Sequence, residues 1–139
     1  MAAFKKFNSF VEARNEKVHN LGSDTLKVLL TNTAPTAANS VKADLTEIAA
    51  GNGYTAGGAT VTVTSSAQSG GVYKLVGSDV VFTASGGQIA ANRYAVLYND
   101  TATNKELIGW WDNGSSAAIN DGSTLTVDFD GTNGILQDS

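Results

Sequence analysis

The stretch Arg93–Asp112, RYAVLYNDTATNKELIGWWD, constrains the fold more than any other part of this chain. Two apolar, aromatic-rich runs flank a polar loop, Asn99 to Lys105, an arrangement that predicts a β-hairpin. Side chains alternate between the two faces of a strand, so a surface hairpin should be polar at every second position. Here large apolar residues occupy both parities: Tyr94, Val96 and Tyr98 against Ala95 and Leu97, then Leu107 and Trp111 against Ile108 and Trp110. Both faces of the hairpin must therefore be covered. A core covers one, and either another part of the chain or another protein covers the other.

A length of 139 residues suits one domain with a modest core. Hydrophobic content of 42% and a mean hydropathy of -0.08 argue against a disordered chain and against a membrane protein. No apolar run approaches the roughly 20 residues needed to span a bilayer. The first ten residues, MAAFKKFNSF, carry two lysines without an apolar stretch behind them, unlike a secretory signal. With no cysteine, disulfides, thiolate chemistry and most structural zinc sites are excluded. A net charge of -4 and the lack of a basic stripe argue against a nucleic-acid partner. Basic residues gather early (Lys5, Lys6, Arg14, Lys17), whereas the charges from Asp112 onward are all acidic: Asp112, Asp121, Asp128, Asp130 and Asp138. That layout fits end-to-end contacts between copies or with a partner; solvated faces are the simpler account of most of these charges.

Strand signals dominate the remainder. Leu26–Thr31, Thr60–Thr64, Val72–Val76, Val80–Ala84, Tyr94–Asn99, Leu107–Asp112 and Thr124–Phe129 are rich in β-branched and aromatic residues. Glycine-containing turns such as Gly57-Gly58, Gly70-Gly71 and Asn113-Gly114 separate them. Short strands at this spacing predict an all-β fold, a jelly-roll or Greek-key β-sandwich. An immunoglobulin-like sandwich is the competitor, without its Cys–Trp–Cys hallmark. Two segments read differently. Phe4, Phe7, Val11 and Val18 fall near a helical stripe, so residues 1–20 form an N-terminal arm or short helix packed on a single sandwich domain, 21–139. An extended arm ending in a strand over Lys17–Leu21 is the alternative. Val41–Ala49 reads as a helical turn or short helix with Val41, Leu45 and Ile48 facing inward.

No arrangement of residues points to catalysis. His19, the single histidine, stands beside no evident nucleophile and reads as a hydrogen-bonded structural residue. Asp128-Phe129-Asp130-Gly131-Thr132-Asn133-Gly134 has the outline of a calcium loop, but its glycines and its twelfth position, Ser139, depart from the ligand pattern. It reads as a solvated strand end and turn. Asp112 and Asp128 could flank a sugar about 5–10 Å apart, as in a glycosidase, but so could almost any two acids in a small sandwich. Trp110 and Trp111, with Tyr54, Tyr94 and Tyr98, could form a sugar-stacking platform, yet adjacent tryptophans on a strand face opposite ways. No catalytic, cofactor or metal residue is assigned. Phe4, Phe7, Phe10, Tyr54, Tyr98, Trp110 and Trp111 are the interface candidates, because aromatic residues are favoured at protein contacts.

Four segments, His19–Ser40, Asp44–Ser65, Arg93–Asp112 and Thr124–Gln137, resemble a family of small tailed-bacteriophage virion proteins encoded among head genes. The combination of GNGYTAGG, RYAVLYND and LIGWWD is more specific than any one piece. Members of known role resemble capsid cement, or decoration, proteins. The resemblance implies a jelly-roll or sandwich subunit without catalytic residues or cofactor, clamping the major capsid protein. It also implies a homo-oligomer, trimer or dimer, on the capsid exterior of the virion, made in the bacterial host cytoplasm. A tail- or fibre-associated sandwich that binds host glycans is the alternative, and a glycan-active enzyme the third reading.

Overall fold

The computed structural model describes residues 3–138; residues 1, 2 and 139, at the ends of the two expected spans, lie outside the described residues. The chain is an all-β sandwich with one short helix. Its elements are β1 (Lys5–Lys6), α1 (Asn8–Asn15), β2 (Leu26–Thr31), β3 (Ala59–Thr60), β4 (Val63–Ser69), β5 (Val72–Gly77), β6 (Val80–Thr83), β7 (Ile89–Asn99), β8 (Leu107–Ile119), β9 (Thr124–Val127) and β10 (Leu136–Asp138). A five-stranded sheet runs β1-β8-β7-β2-β3, a three-stranded sheet β10-β5-β4, and β6 pairs with β9. Every named strand pair is antiparallel. Three pairs are nested in sequence, with β7–β8 inside β6–β9 inside β5–β10. The second half of the chain is thus one long antiparallel hairpin folded over on itself. No helix among the described residues is long and apolar enough to cross a membrane.

Both faces of the five-stranded sheet are buried. On one, Leu26, Val28, Leu30, Ala95, Leu97, Ile108 and Trp111 meet Leu75, Val80, Phe82, Val127 and Leu136 of the smaller sheets. On the other, Leu29, Val96, Tyr98, Leu107 and Trp110 form a second cluster, capped by Phe7 and Leu45. The second cover is the chain itself, which settles the choice left open between chain and partner.

The tryptophans take opposite faces, as alternation requires, but the residues of β8 that share those faces do not follow simple alternation. Leu97 pairs with Gly109 but Tyr98 pairs with Leu107, so Ile108 is an extra residue in β8, a β-bulge. The bulge shifts the alternation by one. Leu107 and Trp110 share the second face, and Ile108 and Trp111 share the main core. Trp110 is 8% exposed and Trp111 4%. Each is closed by a phenylalanine from the N-terminal segment, which runs beside β8 through the Lys5–Trp110 and Lys6–Gly109 pairs. The Phe4 ring lies 5.2 Å from Trp111, and Phe7 lies 4.5 Å from Trp110. Gly109 makes this possible: a Cβ there would sit 2.2 Å from the Phe4 ring.

Several expectations are adjusted. The helix spans Asn8–Asn15, shorter than Phe4–Val18, and its buried residue is Phe10, not Val11. Phe7 lies ahead of it in extended backbone, and Phe4 directly precedes β1. Lys17 adopts the left-handed conformation (φ 67), and no strand forms over Lys17–Leu21. Within Val41–Ala49 only a 3-10 turn, Lys42–Asp44, is helical. The run Thr60–Thr64 is two strands: Thr60 pairs with Lys27 in the large sheet, whereas Val63 pairs with Gly77 in the three-stranded one. Val61 and Val63 keep their inward alternation while the backbone changes partner. Gly58 lets β3 approach, with φ +83 and Val28 O only 1.8 Å from where a Cβ would be. Strands β7 and β8 extend to residues 89 and 119, beyond the apolar run, and Ile89 and Ile119 pair there and rejoin the main core.

Gly109→Ala is expected to dislodge Phe4 and destabilise the protein by about 1–3 kcal/mol, as overpacking does. Urea unfolding followed by tryptophan fluorescence measures this. Gly70→Ala, with open space around it but a left-handed φ of 59, should cost less.

Candidate functional site

Six of the seven aromatic interface candidates are interior. Phe7, Phe10, Tyr54, Tyr98, Trp110 and Trp111 are buried within their own chain, and only Phe4 keeps partial exposure. Phe7, Tyr98 and Trp110 close the second face, and Phe10, Tyr54 and Trp111 belong to the main core, so the aromatic surface expected at a partner contact is used within the chain. Tyr94, a member of the expected sugar platform, is partly buried and carries the Arg93 guanidinium 5.3 Å above its ring. Among the described residues Val81, 52% exposed, is the one large exposed hydrophobic side chain.

Two buried polar networks tie loops to the sheet. In the first, Glu47 Oε2 accepts hydrogen bonds from the Tyr54 hydroxyl (2.5 Å) and the Gly57 N–H (2.6 Å). Tyr54 Oη in turn accepts from the Leu30 N–H at 3.0 Å, and the Tyr98 hydroxyl donates to Gly57 O at 2.6 Å. Lys42 Nζ stands 3.4 Å from Glu47 Oε1. Burial pushes both phenols well above their ordinary range, and the bond Tyr54 donates to Glu47 pushes it further. Both therefore act as fixed donors rather than as acids. This network holds the Val41–Gly58 segment over the sheet.

The second network centres on Asn99, fully buried at the end of β7. Its Oδ1 accepts from the Thr101 and Ala102 N–H groups (3.0 and 3.2 Å). Its Nδ2 donates to Asp24 Oδ2 (2.7 Å) and to His19 Nδ1 (3.0 Å). Asp24 also accepts from the Asn20 N–H at 2.9 Å. One amide thus satisfies all four of its hydrogen-bonding positions and joins the β7–β8 tip to the loop after α1. Beside it opens a cleft of about 950 Å³, lined by Arg14, His19, Asp24, Tyr73, Thr101 and Glu106 among others. His19 is 8% exposed, packed on Phe10 with 5.5 Å between centroids. Burial lowers its pKa; the Glu106 and Asp24 carboxylates act against that shift. His19 Nε2 and Glu106 Oε2 are buried without a protein partner. No hydroxyl is bonded to the His19 ring among the described residues.

The acidic candidates lie elsewhere and are engaged locally. Asp112 receives two hydrogen bonds from Arg93 (2.8 and 3.1 Å) and one from the Gly114 N–H (2.8 Å). These bonds hold its pKa at about 2, so it stays ionised and is unsuited to the general-acid role a glycosidase needs. Asp130 accepts from the Asn133 and Thr132 N–H groups and the Asn133 amide, closing its own turn and lowering its pKa. No cluster of three or more His, Cys, Asp or Glu side chains suited to a metal occurs among the described residues. The sequence reading gave His19 a structural role but missed its partners. Asp24, Asn99 and Glu106 come together from three separate segments, and no spacing rule links them.

The chain matches no family model, no curated protein and no solved structure at a significant level.

Asn99→Ala should uncouple the tip from the His19 loop and leave the Thr101 and Ala102 N–H groups unbonded. A loss of about 1–3 kcal/mol is expected for disrupting such a buried group. Chemical denaturation reads the loss, and faster amide exchange at those two residues localises it.

Proposed function

We propose that this protein is a structural subunit of a tailed-phage virion, a cement or decoration protein on the head exterior that clamps major capsid subunits without catalysing a reaction. One observation carries the reading. The segments that resemble that family pack together as a single framework. Gly57 of GNGYTAGG accepts from Tyr98 of RYAVLYND, and Val96 pairs with Trp110 of LIGWWD. The likeness therefore extends to mutually packed parts of the scaffold rather than to one local motif.

The surface fits the role. Aromatic groups are interior, and strand β4, with Ser65, Ala67, Gln68 and Ser69 exposed, forms the outer edge of its sheet. It has no lysine or proline of the kind that guards edge strands against pairing. Contacts through small polar groups are individually weak, and a lattice of them gains strength through avidity. A homo-oligomer, trimer or dimer, would multiply them. The tail-associated, glycan-binding alternative has less support, because both tryptophans lie inside the chain.

Purified heads assembled with and without this protein provide the test. Loss of heat or chelator resistance in its absence, with copy number on the order of hundreds per particle, is the expected result for a shell component. Unchanged resistance, or a handful of copies, would overturn the cement assignment.

A further inference from the structure

We propose that His19 is a proton-operated latch. In the neutral ring Nδ1 accepts a hydrogen bond from the Asn99 amide, and protonation of Nδ1 breaks that bond and loosens the hold of Asn99 on the β7–β8 tip. This inference goes beyond the virion reading and does not depend on it.

The geometry dictates the tautomer. The Asn99 amide is oriented by its other partners: Oδ1 faces two backbone N–H groups, and Nδ2 faces the Asp24 carboxylate. An amide nitrogen only donates, so His19 Nδ1, 3.0 Å away, must be unprotonated and the neutral ring carries its proton on Nε2. A proton added to Nδ1 sets two donors against each other. Asn99 must then move, and its Oδ1 bonds to Thr101 and Ala102 loosen with it.

The charged ring has new attractions. Asp24 lies on the Nδ1 side, bonded to the same Asn99 amide. Glu106, from the tip segment, offers a buried oxygen with no protein partner, and His19 Nε2–H is a buried donor with none. Other charges around the ring are paired away from it. Arg14 of α1 lies over Phe10 and pairs with Asp138 of β10 at 3.0 Å. Asp100, in the tip, pairs with Lys27 of β2 and with Lys105. Lys17, in His19's own loop, is exposed. Burial outweighs the two carboxylates and holds the ring's pKa below 6.5. A folded pKa below the unfolded one means the unfolded chain binds more protons in that window. The latch therefore contributes fully above pH 6.5, and its contribution falls as pH drops from there toward the folded value. His19 is the only histidine and cysteine is absent, so no other side chain ordinarily titrates there.

Imidazole ¹⁵N spectra and amide-exchange protection factors of the full chain, recorded from pH 8 to pH 5, test this. At pH 7, Nδ1 should be the unprotonated nitrogen. Protection at Thr101 and Ala102 should fall severalfold across the His19 titration, as the proton favours the opened state. His19→Asn, which places a non-titrating amide near the Nδ1 position, should abolish the pH dependence. An Nδ1–H tautomer at pH 7, unchanged protection through the titration, or a pH-dependent fall that survives in His19→Asn would overturn the latch. Should that variant not fold, the tautomer and protection of the unsubstituted chain still decide.

Discussion

A single inserted residue organises the centre of this sandwich. Because Ile108 bulges from β8, Trp110 shares a face with Leu107 and Trp111 with Ile108, while the adjacent tryptophans keep the opposite faces that alternation gives them. Each then needs a cover, and the N-terminal segment supplies both, Phe4 on one face and Phe7 on the other. The aromatic row continues from Trp111 to Phe129, 5.4 Å away, just after β9. The chain's beginning, middle and end are therefore packed through one pair of indoles, and large aromatic surfaces of this kind dominate core energetics.

Polar bonding then holds in place what the apolar packing cannot. Long connections cross the second face of the sheet, where they would otherwise be loosely held. Glu47, Tyr54, Gly57 and Tyr98 fasten one of them, and Thr31 Oγ1 donates to Thr46 O nearby. Asn99 fastens the other end of the hairpin. Buried networks of this sort specify a unique arrangement because each unsatisfied member is costly. The motif GNGYTAGG acquires a physical meaning here: Tyr54 and Gly57 belong to the network, and Gly58 permits the close approach of β3 to β2.

Functionally, the same economy of aromatic groups matters. A sandwich that buries its tryptophans presents strand edges, turns and charges at its surface. The proposed virion role rests on many modest contacts of that kind adding up.

Much of the framework was legible in the residues. Alternating β-branched runs separated by glycine turns determined an all-β sandwich, and Leu26–Thr31 was placed to the residue because both faces of that strand are buried. The apolar character of both parities in Arg93–Asp112 determined that two covers must exist. Strand β10, three residues long, and the polar half of β4 left no signal, since Leu136–Asp138 and Ser65–Ser69 lack strand-forming composition. Only the tertiary structure decided that the chain itself provides the second cover, and which tryptophan faces which way. A bulge is set by ladder register between distant strands, and register depends on pairing that local sequence does not encode. The His19 cluster was hidden for the same reason: its members are contributed by the loop after α1, the end of β7 and the start of β8, and become neighbours only once the sheet has closed.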